Sequence, residues 1–170
     1  MHLYIVRHGD AIDPNHPSVT HDEMRELTQK GRNEVGTMAR LLARLGVTPT
    51  LILTSPLVRA RHTAGILSEN LEAPAPIVSD HIAPGGSPTG VLHDLVLHEA
   101  PGDVIVVGHM PGVGALAGYV AWGDPFIIVP FRTAEVCRID VPAGQLGPGM
   151  GELRWLIPPR IAEKLLPADA

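Results

Sequence analysis

The sequence predicts a three-layer α/β/α fold with a mostly parallel central sheet and an antiparallel C-terminal hairpin at one edge. Three observations predict it. Short apolar runs, Leu3 to Val6, Leu51 to Leu53 and Val104 to Val107, lack polar alternation, as strands buried on both faces do. Helical periodicity separates them, which implies right-handed crossovers and parallel pairing. The last third instead alternates over Glu135 to Val141, passes a glycine-rich loop and returns over Glu152 to Ile157, the pattern of a hairpin.

Each element follows from local chemistry. Leu3 to Val6 ends in Arg-His-Gly and reads as a buried strand. Asp10 to Leu27 is polar and holds Pro14 and Pro17, so it reads as a long loop of the kind that often carries function. Thr28 is placed as an N-cap. Val35, Met38, Ala39, Leu42 and Leu45 then recur at helical spacing until Gly46 caps the end and Pro49 prevents continuation. After the second strand, Ser55-Pro56 reads as N-cap and first position of a second helix with Ala60, Thr63, Ala64, Leu67 and Leu71 inward. Ile77 to Ser79 is a short edge strand. Pro84 to Pro88 is a turn, and Thr89 to Glu99 a third helix. Val104 to Val107 leads through Gly108-His109-Met110-Pro111-Gly112 into a fourth helix ending near Trp122. Ile161 to Leu166 is a last short helix.

Composition bounds what such a chain does. At 170 residues, with 45% apolar content, one domain spanning 1–170 is expected. The 13 basic and 18 acidic residues give a net charge of −5, against a nucleic-acid partner. The single cysteine, Cys137, excludes an internal disulfide and a cysteine zinc site and fits a reducing compartment. No run approaches a membrane span, and the N-terminus lacks the pattern of a signal peptide, so a cytoplasmic location without membrane partners is expected. Nine histidines invite a metal reading. No His-Glu-x-x-His motif or carboxylate-rich loop supports it, and His93 and His98 are five apart rather than at the four-residue spacing of helical ligands.

Three polar clusters share one structural address. Arg7-His8 follows the first strand, Ser55 and Arg59 the second, and His109 the strand Val104 to Val107. In open α/β sheets, ligands bind outside the carboxyl ends of the strands. Parallel strands would therefore bring two arginines and two histidines together beside helix N-termini. That arrangement suits a phosphoryl dianion. A neutral histidine is also a competent covalent nucleophile for phosphoryl groups.

At these residues the sequence resembles the histidine phosphatase, or phosphoglycerate mutase-like, superfamily. The likeness rests on Arg7-His8-Gly9, on Leu27-Thr28-x-x-Gly31, on Ser55-Pro56-Leu57-Val58-Arg59-Ala60-x-x-Thr63-Ala64 and on Gly108-His109-x-Pro111-Gly112, in the family's order and spacing. The short length and the form of the last motif resemble the SixA-type phosphohistidine phosphatases. The resemblance implies that His8 is the phosphorylated nucleophile and that Arg7, Arg59 and His109 complete the phosphate pocket, with Ser55 and Gly9 as further substrate-binding candidates. It implies no metal and no cofactor. It implies turnover through phospho-His8 to inorganic phosphate and a phosphohistidine-bearing protein as partner.

Many superfamily members carry an acid in a Leu-x-Glu segment. Here the matching stretch is Ile82-Ala83-Pro84. A labile phosphoramidate bond needs less help from an acid than an alkyl ester does, and the short chain leaves no room for a large pocket-covering insertion. Both points favour a phosphoprotein substrate. The alternatives are a small-metabolite phosphomonoesterase or mutase and a phosphate-binding module without turnover. Asp10, the carboxylate nearest His8 in sequence, stands as a substitute acid or a loop cap. His16 and His21 stand as loop residues able to touch substrate. The sequence leaves open the oligomeric state, although Phe126 to Val129 reads as an exposed apolar segment.

Overall fold

The computed structural model describes residues 1–98 and 102–167. Six strands form one sheet: β1 (His2–Arg7), β2 (Pro49–Thr54), β3 (Ile77–Val78), β4 (Asp103–Gly108), β5 (Val136–Asp140) and β6 (Glu152–Ile157). Their order is β3-β2-β4-β1-β5-β6. The first four are parallel, and β5 and β6 add an antiparallel hairpin beside β1. Five helices flank the sheet: α1 (Gln29–Arg44), α2 (Val58–Asn70), α3 (Pro88–Leu97), α4 (Gly112–Trp122) and α5 (Pro159–Leu165).

The two-residue repeat of the central strands creates the layers. Leu3, Ile5, Val104 and Val106 point into one core with Leu92 and Leu95 of α3 and Leu116 and Val120 of α4. Tyr4, Val6, Ile105 and Val107 point the other way, into a core shared with Val35 and Leu42 of α1, Ala64 and Leu67 of α2 and Ala162 of α5. Central strands buried on both faces explain the unbroken apolar runs. The three-layer architecture agrees with the sequence expectation, including the hairpin at one edge.

Local chemistry moves several boundaries. Ser55 and Pro56 do not open α2, which starts at Val58 with Leu57 as N-cap. The Ser55 hydroxyl instead accepts from the N–H of Leu57, two residues on, and also meets His109. That local turn competes with helix capping. The third helix begins one residue earlier than expected, because the Ser87 hydroxyl accepts from the Gly90 N–H and Pro88 takes the first turn. Its expected last residue, Glu99, lies outside the described residues. Pro159 opens α5 in the same way, two residues before Ile161. Glu135 precedes β5 rather than starting it. Phe126, Ile127 and Ile128 are exposed as expected, whereas Val129 is buried against α4. No helix among the described residues is long and apolar enough to cross a membrane.

The strand register brings the polar clusters together. Arg7 is paired with Gly108, and Thr54 with Val107, so three strands end at one level. The backbone continues the alignment past the strands: His8 N–H donates to Gly108 O and Ser55 N–H to Val107 O.

The start of α1 locks onto the same edge. Thr28 accepts from Gly31 N–H as N-cap, and its own N–H donates to Asp10 O. A Cβ at Gly31 would come within 2.1 Å of that same carbonyl. Gly31→Ala is therefore expected to lower stability by about 1–3 kcal/mol through overpacking, read as a reduced urea midpoint. An unchanged midpoint would mean that the loop gives way freely.

Candidate active site

His8 stands just past β1 with its ring fixed at both nitrogens. Its Nδ1 lies 2.7 Å from Gly9 O, and since a carbonyl only accepts, Nδ1 carries the proton. Nε2 then keeps its lone pair and accepts from Arg59 Nε at 3.3 Å. The Gly9 N–H donates to Thr63 Oγ1, and Thr63 Oγ1 donates to Arg59 O. Thr63 thus ties the Arg7-His8-Gly9 turn to α2 one turn beyond Arg59.

Arg59, only 5% exposed, points its other nitrogens away from His8. Nη1 donates to Asp22 O at 2.8 Å, and Nη2 to Asp22 Oδ2 at 3.0 Å. The second arginine, Arg7, donates from Nη1 to Phe131 O, while its Nε is buried and meets no partner among the described residues. His109 stacks obliquely on His8, with ring centroids 4.9 Å apart. Its Nε2 lies 2.8 Å from Ser55 Oγ, and its buried Nδ1 also meets no partner among the described residues. If the Ser55 hydroxyl donates to Nε2, His109 carries its proton on Nδ1 and presents a second free donor. Two buried nitrogens without partners among the described residues, beside two arginines, make a setting that suits an anion.

Electrostatics keep both histidines neutral. Burial pushes the His8 pKa from 6.5 to about 4, against the Gly9 carbonyl and with help from Arg59 and Arg7. Burial, His8 and Arg59 push His109 from 6.5 to about 3. Burial lowers Arg7 as well, with the nearby Glu135 carboxylate opposing it. Nucleophilic attack needs the unprotonated nitrogen, so this cationic, desolvated setting favours the reactive form.

The same shifts carry a stability cost in acid. An unfolded histidine protonates near 6.5 while the folded one resists down to about 4, so the unfolded state binds more protons between those values. Stability therefore falls as pH drops through that window. The melting temperature is expected to decline from pH 6.5 to 4, and less steeply in His8→Asn. Identical profiles for the two proteins would contradict the assignment.

The structure thus brings Arg7, His8, Arg59, His109, Ser55 and Gly9 to one place. It gives Ser55 and Gly9 orienting contacts: the Ser55 hydroxyl meets the second histidine, and the Gly9 N–H is spent on Thr63. Asp10 is held elsewhere, its carboxylate accepting from the Thr28 hydroxyl. His16 pairs with Ser18 in the exposed loop, and His21 precedes a 3-10 turn, Asp22–Met24. His81 and His2 pair with Asp94 and Asp103. Among the described residues, no group of three or more His, Cys, Asp or Glu side chains is placed to hold a metal ion.

Sequence reasoning missed Asp22 and Arg25. Arg25 donates to Ile12 O and to Asp22 Oδ1 and adds positive potential at His8. Their only signal was membership of the long loop. Thr63 stands in its motif, where the sequence shows it only as an inward helix position.

A parallel sheet whose strand ends gather two arginines and two neutral histidines defines a phosphoryl-handling α/β protein. Comparison with known proteins makes the class specific. The histidine phosphatase superfamily (branch 1) model matches residues 3–81. An uncharacterised protein of Picosynechococcus sp. is 41% identical over 73% of this chain and 75% of its own. Phosphohistidine phosphatase SixA of Escherichia coli is 27% identical over 94% of both chains. The structure of the protein histidine phosphatase SixA complexed with tungstate superposes with a TM-score of 0.81 at 27% identity, covering 95% of this chain and 99% of that one. The chain belongs to the histidine phosphatase superfamily, in its SixA branch, and is a hydrolase of the phosphatase class.

Proposed function

We propose that this chain is a SixA-like phosphohistidine phosphatase working in two steps through phospho-His8. The observation that carries the reading is the disposition of His8: proton held on Nδ1 by Gly9 O, lone pair on Nε2 facing the Arg59 guanidinium. The phosphoryl group of the substrate is drawn to Arg7, Arg59 and the free Nδ1 of His109. His8 Nε2 attacks phosphorus in line while those donors stabilise the charge on the equatorial oxygens. The dephosphorylated group leaves, water hydrolyses phospho-His8, and inorganic phosphate departs. The chain's own cationic groups supply the charge stabilisation, so the reading requires no metal or cofactor.

A phosphohistidine substrate is favoured by the Ile82 turn. Ile82 is buried and packs beside Gly108, and neither Ala83 nor Pro84 offers a proton donor where many relatives are expected to have one. An imidazole leaving group tolerates that lack better than an alkoxide. The tungstate bound by the solved SixA, an oxyanion, fits the same view of the pocket. The reading places the protein on phosphoprotein partners in the cytoplasm.

The test is turnover of a phosphohistidine peptide, a panel of metabolite phosphates and p-nitrophenyl phosphate, all in EDTA. The phosphohistidine peptide is expected to give the highest kcat/KM, undiminished by the chelator. Loss of activity on chelation, or a metabolite turned over far faster, would overturn it.

A further inference from the structure

We propose that Asp22 takes the proton from the water that hydrolyses phospho-His8. The inference rests on the two-step reading above and assigns to that site a group that neither the motifs nor the Ile82 turn supplies.

Asp22 sits in the 3-10 turn of the long loop, with its side chain 55% exposed. One guanidinium head separates it from the nucleophile: Arg59 Nε faces His8 Nε2 while Arg59 Nη2 holds Asp22 Oδ2. Its negative charge also opposes the lowering of the His109 pKa. The carboxylate thus stands one guanidinium away from His8 Nε2, and the proposal places the attacking water between it and the phosphoryl group. A carboxylate has about four lone-pair sites. One on Oδ1 is used by Arg25 Nη1 and one on Oδ2 by Arg59 Nη2, which fixes the group and leaves acceptor capacity for water.

The other acids near the site are held by structural partners. Asp10 accepts from the Thr28 hydroxyl. Glu135, 6% exposed, accepts from the Arg132 N–H.

Arg25, with Arg59 in support, holds the Asp22 carboxyl below the usual carboxylate range. At neutral pH it is ionised and has no proton to give. That suits the two half-reactions unequally. Phosphoryl transfer from a phosphohistidine releases an imidazole and needs no donor at Asp22. In hydrolysis, the water oxygen bonds to phosphorus and the P–N bond breaks. Its electron pair returns to His8 Nε2, Nδ1 keeps its hydrogen, and one water proton passes to Asp22 and then to solvent.

The experiment is rapid mixing of the full chain with p-nitrophenyl phosphate, following nitrophenolate release and phosphoenzyme. In Asp22→Asn, nitrophenolate appears in a burst approaching one per enzyme, and phosphoenzyme decays about 100-fold more slowly than in the native protein. Asp22→Glu, which keeps a carboxylate, decays faster than Asp22→Asn. Decay at the native rate in Asp22→Asn overturns the proposal. So does equal slowing of formation and decay, which would mean that Asp22 only steadies Arg59. Absence of any phosphoenzyme in the native protein, with turnover intact, would instead remove the two-step reading itself.

Discussion

His8→Asn is expected to eliminate turnover of every phosphoryl substrate, by on the order of 10⁴-fold or more. No other group can replace it. The neighbouring His109 has Nε2 engaged with Ser55, and its Nδ1 is the nitrogen assigned to donate rather than attack. Asparagine retains a polar group of similar reach near Gly9 O and Arg59 Nε, so the variant is expected to fold and to keep binding vanadate. Fold is checked by its melting curve and turnover by phosphate release. Substantial residual activity in a folded His8→Asn protein would mean that the chemistry occurs at another atom.

Arg59→Ala has the second largest effect. The guanidinium serves three acceptors at once: His8 Nε2, Asp22 O and Asp22 Oδ2. On the proposed mechanism its loss removes a donor to the transferring phosphoryl group, and it releases the loop end that carries Asp22. Loss of one such donor costs about 10²–10³-fold in kcat, or roughly 2.7–4 kcal/mol. Arg59→Lys recovers little, because a single ammonium cannot span acceptors arranged around a planar fork. The measurement is kcat/KM together with vanadate inhibition for the two variants. Near-native values for lysine would show that charge alone matters there and that the fork geometry does not.

Much of this site was legible in the sequence because its positions follow strand ends. Buried parallel strands are short apolar runs, and the polar residue that ends each run marks the crevice. Arg7-His8, Ser55 and His109 each follow such a run, and register alone carries them together. Arg59 was legible through its motif; it is the second residue of α2 and is buried, while its neighbour Arg61 faces solvent.

Asp22 and Arg25 were not legible, for a physical reason. The loop that holds them has no period, and its path is set by contacts distant in sequence, such as Ala11 bridging Leu27 and Arg59 reaching Asp22. Asp10 was the natural candidate acid by sequence distance, yet the cap of α1 claims its carboxylate. Ser55 illustrates competition between local and distant partners. A Ser-Pro pair after a strand has the composition of a helix cap, and only the arrival of His109 from β4 decides its use.

The most direct test of the central claim is to trap the phosphoryl group. The protein is quenched in alkali during turnover, digested and examined by mass spectrometry. The account predicts an acid-labile, alkali-stable phosphoryl group on the peptide containing His8, absent from His8→Asn. Phosphate found on a different residue, or turnover with no covalent phosphoryl group at any time, would contradict it.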